Sequence, residues 1–143
     1  MNASLREDSS SHVPVHTPGG ILGLGLDLVE VSRIEAVLER QKERFIKRVF
    51  TENEQLYCNS KAAPAQFYAV RFAAKEAVAK AFGTGIGAEL GWLDIEVGHA
   101  PSGAPLVRLL GKGAELAARR GVRSVLISLT HTTVTAAASV VLQ

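Results

Sequence analysis

Apolar residues recur along this chain with two periods, and the switches between them outline its elements. From Ile21 to Leu28 they alternate, so Leu22, Leu24, Leu26 and Leu28 share one side of a predicted strand, a face that needs burial. Ile21, Gly23, Gly25 and Asp27 form the other side, where two glycines leave bare backbone for close approach by a chain segment or a ligand. Ser32 to Glu35 has the form of a capping box and predicts a helix through Ile34, Val37 and Leu38. Arg40 to Arg48 sets five basic residues against one acid, Glu43, with Phe45, Ile46, Val49 and Phe50 interleaved as apolar anchors. Thr51 to Glu54 is a second capping box and starts another short helix. Pro64 opens the longest helix, which runs to about Phe82, with Gly83 suited to the left-handed position that closes it. Leu93–Val97 and Leu106–Leu110 alternate around the turn 101–105 as a hairpin. Gly113–Arg120 forms a short helix ended by Gly121. Val122–Leu129 and Val134–Leu142 are strands joined around Thr130–Thr133. The mixture predicts an α+β fold, an antiparallel sheet packed by one long helix and shorter ones.

The longest helix carries an unusual face. Advancing roughly 100° per residue, Phe67, Val70, Ala74, Val78 and Ala81 form a core stripe. Phe72, Glu76 and Lys80 stack on the opposite side at i, i+4, i+8, so an aromatic, a carboxylate and an ammonium share a face that needs a partner. Taken alone, Glu76 and Lys80 are a surface pair contributing about 0.3–0.5 kcal/mol.

Composition narrows the classes. A chain of 143 residues, 47% hydrophobic and 21% charged, fits one globular domain. A net charge of +2 makes no global demand for nucleic acid. The single cysteine, Cys58, excludes an internal disulfide framework and a Cys-rich zinc site, and it is read as a bystander. No apolar run is long enough to cross a bilayer. Residues 1–20 lack an apolar signal core and are read as a flexible tail before a single domain over 21–143. His12 and His16 lie in that tail at i, i+4, with no folded helix to make them a metal pair. A cytoplasmic location is the expectation.

Three positions carry candidate chemistry: Asp27 at a strand end, Glu76 on the long helix, and His131 in a polar turn. Read singly, Asp27 terminates a strand and His131 fills a turn. If the fold brings the two carboxylates together, oxygen-only ligation favours Mg²⁺, which takes one or two carboxylates plus phosphates and waters. Lys80, one turn from Glu76, then neutralises a phosphate oxygen. The glycine-rich segment Gly83–Gly87 is neither a P-loop nor a dinucleotide fingerprint, since no Gly-Lys-Ser/Thr and no helix start follow. A helix C-terminus repels anions, so phosphate binding there needs Thr84, backbone N–H groups and cations. A cap-and-connector role for this segment stays equally open.

In order, Gly23–Asp27, Arg33-Ile34, Arg48–Thr51 with Glu54, Arg71–Ala77 with Lys80-Ala81, Gly83–Gly87 and Ile127–Thr132 resemble the motifs of the holo-[acyl-carrier-protein] synthases, the short type of 4′-phosphopantetheinyl transferase. The resemblance covers the chain from about Ile21 onward. It implies a 4′-phosphopantetheinyl transferase-like fold. The implied reaction is transfer of 4′-phosphopantetheine from coenzyme A to a serine of apo acyl carrier protein, for fatty acid biosynthesis, with release of adenosine 3′,5′-bisphosphate. It implies Mg²⁺ on Asp27 and Glu76, nucleotide phosphates on Lys80 and His131, and a coenzyme A site shaped by Arg71 and the loop Thr84–Gly87, Thr84 and Gly85 foremost. Glu76 is the candidate base for the serine proton, acting through a water because a metal ligand is a poor base. Arg33, Arg44 and Arg48 are implied contacts to an acidic carrier protein. The resemblance also implies a homotrimer with active sites between subunits, and no nucleic-acid or membrane partner. Ala104 stands where the family's turn carries a lysine. Two other readings remain: a non-catalytic module that binds a nucleotide or an acidic partner, and the same enzyme acting on a carrier domain of a larger synthase.

Overall fold

A computed structural model describes residues 20–143 of the chain; apart from Gly20, the tail expected over 1–20 lies outside them, as do His12 and His16. Strand β1 (Gly23–Glu30) runs without a loop into helix α1 (Val31–Val49). The capping box predicted at Ser32 does not form: Glu30 takes the N-cap position and makes no side-chain cap bond. Sheet pairing is the reason. Glu30 is still in register with Thr135, and the Val31 N–H donates to Val134 O at 2.8 Å, so the helix begins before Ser32 can cap it. Helix α1 kinks at Gln41 (φ −139°, ψ 28°), where its amphipathic half gives way to the basic half. Phe45, Ile46, Val49 and Phe50 are buried, as their spacing predicts.

The second capping box holds. Helix α2 (Glu52–Asn59) starts with Thr51 Oγ1 accepting from the Glu54 N–H and the Thr51 N–H donating to Glu54 Oε1. Helix α3 (Pro64–Phe82) ends at Gly83 with φ 75°, the left-handed cap that glycine accepts without strain. A 3₁₀ turn at Trp92–Asp94 leads to the hairpin β2 (Ile95–His99) and β3 (Pro105–Leu109), then α4 (Gly111–Arg120), β4 (Val125–His131) and β5 (Thr135–Leu142). The strands divide into a three-stranded antiparallel sheet, ordered β1-β5-β4, and the separate β2-β3 pair.

Helix α3 lies on the three-stranded sheet, and this contact reverses the expected sides of β1. Gly25 and Val29 are buried, while Leu24, Leu26 and Leu28 point outward with 65–71% of their surface exposed, and Leu22 is exposed beside them. A Cβ at Gly23 or Gly25 would collide with the carbonyl oxygens of Ala81 or Ala77. The bare glycine face therefore lets the strand and helix backbones touch, and the leucine face is left without a partner in its own chain.

Alanines on several sides make α3 buried almost all round: Ala69, Ala73, Ala74, Ala77 and Ala79 are inaccessible. Phe67, expected in its core stripe, is only half-buried. Lys75, by contrast, is fully buried. Its ammonium meets Glu54 Oε1 at 2.6 Å and donates to Val49 O and Trp92 O at 2.6 and 3.0 Å. Glu54 also accepts from the N–H groups of Thr51 (2.8 Å) and Val97 (2.9 Å). One saturated ion pair thus ties together α1, α2, α3 and β2.

Candidate active site

Beside Ala77 and Ala81, β1 lies against the C-terminal half of α3, and that contact carries Asp27 to Lys80. Lys80 Nζ sits 2.9 Å from Asp27 Oδ1 and also donates to Leu26 O at 3.1 Å. Among the described residues Lys80 forms no ion pair with Glu76, so the simple i, i+4 surface pair is replaced by a cross-element one. Burial pushes the Glu76 carboxyl above its ordinary range, the nearby Asp27 charge adds to that, and Lys80 and Arg33 partly offset it. Asp27 raises the Lys80 ammonium further. Asp27, Glu76, Lys80 and Arg33 therefore form one electrostatic cluster of two acids and two bases.

A groove of about 370 Å³ between α1 and α3 opens beside Glu76. Its floor is aromatic: Phe72 stacks on Trp92 (centroids 5.0 Å apart, planes at 28°) and touches Phe45 at 6.1 Å. Arg33 and Arg48 stand at its edges, whereas Arg44 is exposed on α1 outside the groove. The outward face read from the sequence is thus the wall of a groove with a cationic rim.

At the end of α3 the N–H of Gly83 is spent on Lys80 O, and those of Thr84 and Gly85 on Ala79 O. The Thr84 hydroxyl donates to Gly85 O at 2.8 Å. Thr84 and Gly85 lie next to the Asp27–Lys80 end of the helix, and their N–H groups serve as a cap.

His131 and Arg71 are not brought to this cluster. The His131 ring packs edge-on against Phe67 at 5.1 Å. Phe67 lies 6.0 Å from Tyr57, and Tyr57 lies 4.7 Å from His99, so four rings form a continuous strip. Two cations flank it. Arg71 stacks over Tyr57 at 4.2 Å, and Lys61 sits over Tyr57 and Phe67 at 4.6 and 5.5 Å. The Arg71 guanidinium is buried, yet its Nε and Nη2 have no hydrogen-bond partner. Its Nη1 donates to Phe67 O at 3.4 Å. A buried donor left unpaired costs about 1–3 kcal/mol, more when charged. From Phe67 to Lys80 is roughly 20 Å along the helix at about 1.5 Å per residue. The Asp27–Lys80 contact and the ring strip therefore lie apart on the chain.

Tyr57, Lys61 and His99 escape a reading of the sequence, because only the packing of α2 against β2 and α3 assembles them. Glu54 and Lys75 left a signal: a lysine in a helix that is alanine-rich on all sides has nowhere to go but inward, and needs an acid there.

Residues 23–138 match the family model of the 4′-phosphopantetheinyl transferase superfamily. The holo-[acyl-carrier-protein] synthase of Desulforudis audaxviator is 49% identical over 111 residues, 78% of this chain and 84% of that protein. That of Koribacter versatilis is 46% identical over 123 residues, 86% of this chain and 98% of that protein. The crystal structure of the Helicobacter pylori holo-[acyl-carrier-protein] synthase in complex with coenzyme A superposes with a TM-score of 0.76 at 35% identity, over 84% of this chain and 99% of that one. The chain belongs to the 4′-phosphopantetheinyl transferase superfamily and, within it, to the holo-[acyl-carrier-protein] synthase family.

Proposed function

We propose that this protein transfers 4′-phosphopantetheine from coenzyme A to a serine hydroxyl of an acidic apo acyl carrier protein, in the cytoplasm and in the service of fatty acid biosynthesis. The observation that carries the reading is the meeting of Asp27, Glu76 and Lys80 across β1 and α3, beside a groove with basic edges. The serine oxygen attacks the phosphorus that bears the pantetheine arm, the bond from that phosphorus to the leaving phosphate oxygen breaks, and adenosine 3′,5′-bisphosphate departs. Glu76, whose carboxyl burial makes more basic, takes the serine proton through a water. Lys80 neutralises charge that builds on the phosphate oxygens.

Mg²⁺ fits this site. Among the described residues no group of three or more metal-ligating side chains occurs, but Mg²⁺ requires only one or two carboxylates when a diphosphate supplies further oxygens. Asp27 and Glu76 are the pair that would hold it. When bound it supplies positive charge to the diphosphate.

Arg71 and His131 belong to the nucleotide end of coenzyme A, the unpaired Arg71 nitrogens being suited to a phosphate. Thr84 and Gly85 line the approach. Arg33, Arg44 and Arg48 meet the acidic carrier, with the Phe72–Trp92 floor as its apolar seat. A homotrimer unites the two half-sites, because a second copy can bring its Arg71 and His131 to the Asp27–Glu76 end of the first. The outward leucines of β1 support that assembly, since a solvent-facing apolar face of this kind marks an interaction surface. Residues 21–143 act as one domain.

Glu76→Gln tests the site. It should abolish transfer and the response to Mg²⁺ while coenzyme A still binds; near-normal turnover would remove Glu76 from the mechanism.

A further inference from the structure

The strip of rings ends in a cleft of about 340 Å³ between α2, α3 and the β2-β3 hairpin. Arg71 lies at its base, buried, with Nε and Nη2 unpartnered. His99, the last residue of β2, stands exposed at its rim with its ring on Tyr57 at 4.7 Å. The charged and titratable groups around His99 come from every neighbouring element: Tyr57 from α2, Lys61 from the segment after it, Arg71 from α3, Glu96 from its own strand and Arg108 from β3. Glu96 is the only carboxylate among the residues lining the cleft. It is already engaged, accepting from Asn53 Nδ2 at 3.4 Å and lying 3.9 Å from Arg108 Nε. Partial burial, then Arg71, then Lys61 hold the His99 imidazole below its ordinary range, which favours the uncharged ring. A doubly charged phosphate in the cleft would reverse the balance, because it offsets both cations and places negative charge within reach of the ring.

We propose that His99 makes donor binding proton-linked: a terminal phosphate monoester seated on Arg71 draws a proton from solvent onto His99, and the cleft thereby favours a donor that carries this group over one that lacks it. Coenzyme A carries one such monoester, on its ribose, besides the diphosphate at which transfer occurs. The inference rests on coenzyme A being the donor. The chemistry is a protonation only; one proton leaves the buffer, the imidazole becomes imidazolium, and no other bond changes. His99 contacts neither the attacking serine nor the diphosphate. It is a specificity residue whose effect belongs to binding of the donor rather than to the rate of transfer.

Isothermal titration calorimetry of the full chain tests this, with coenzyme A and with dephospho-coenzyme A as probes, in buffers of different ionisation enthalpy near neutral pH. The wild-type protein should take up a measurably larger fraction of a proton per site than His99→Gln on binding coenzyme A. With dephospho-coenzyme A the two proteins should exchange protons equally. Coenzyme A affinity should fall about three- to tenfold in His99→Gln below neutral pH, and the gap should close in mildly alkaline buffer as the wild-type imidazole loses its proton. Equal uptake by the two proteins, with both binding coenzyme A, would overturn the proposal, as would the same excess uptake with dephospho-coenzyme A. Failure of the wild-type protein to bind coenzyme A at all would overturn the donor reading itself, and the proposal with it.

Discussion

Single side chains in this molecule differ widely in what they hold in place, and burial decides the difference. Lys75 and Glu54 have side chains that are 0% exposed and are joined at 2.6 Å. Burial pushes the Lys75 ammonium below its ordinary range, and Glu54 pulls it back. Its three donors reach three acceptors, so the desolvation of the charge is answered in full. Lys75→Met leaves Glu54 buried as an unpaired acid and should destabilise the fold by about 3–5 kcal/mol in urea unfolding. The exposed pair Lys47–Glu43, at 3.9 Å, offers the contrast. Lys47→Ala should change stability by less than about 0.5 kcal/mol, because solvent screens that pair. A loss below about 1 kcal/mol for Lys75→Met would contradict the role given to the buried pair. Glu76, next in sequence to Lys75, inherits its direction from this anchor: with Lys75 locked inward, Glu76 turns to the groove between α1 and α3.

At the level of elements, the signals that depend on a few neighbouring residues were readable in the sequence. The Thr51–Glu54 box, Pro64 at the start of α3, and the left-handed glycines Gly83 and Gly121 each mark a boundary through backbone chemistry that needs no tertiary partner. Where two elements compete, local reading failed. Ser32 has the right partner in Glu35, but pairing of Glu30 with Thr135 starts the helix earlier. The alternation of β1 was also readable, yet not which face turns inward, because packing of α3 on Gly23 and Gly25 decides that and exports the leucines. Asp27, Glu76 and Lys80 were legible as a set. The distance of Arg71 and His131 from them was not drawn from the pattern, although Arg71 and Glu76, five residues apart, point roughly 140° apart on one helix. Helix α1 gives a test at this scale. Arg33 stands on the groove wall and helps offset the raised Glu76 carboxyl. Arg33→Glu should raise the KM for the carrier protein about tenfold or more while leaving coenzyme A affinity within about twofold. Equal losses in both would place Arg33 in the donor site instead.

For the whole molecule, two features bear on the proposed homotrimer. Leu24, Leu26 and Leu28 expose an apolar strip on the outer face of the sheet, and the Asp27–Lys80 contact and the His131–Phe67 contact lie at different ends of α3. Light scattering should give three times the chain mass. Leu26→Glu, which leaves the inner core untouched, should yield a folded monomer by circular dichroism that has lost transfer activity; a fully active monomer would contradict the shared site. The central claim, that the Asp27–Glu76–Lys80 cluster transfers a phosphopantetheine arm, has a direct readout in the mass of the acceptor. Apo acyl carrier protein incubated with the protein, coenzyme A and Mg²⁺ should gain the mass of one phosphopantetheine group in intact-protein mass spectrometry, and the gain should vanish on chelation of the metal. An acceptor mass that stays unchanged with several carrier proteins, while coenzyme A binds normally, would contradict the account and leave a binding module in its place.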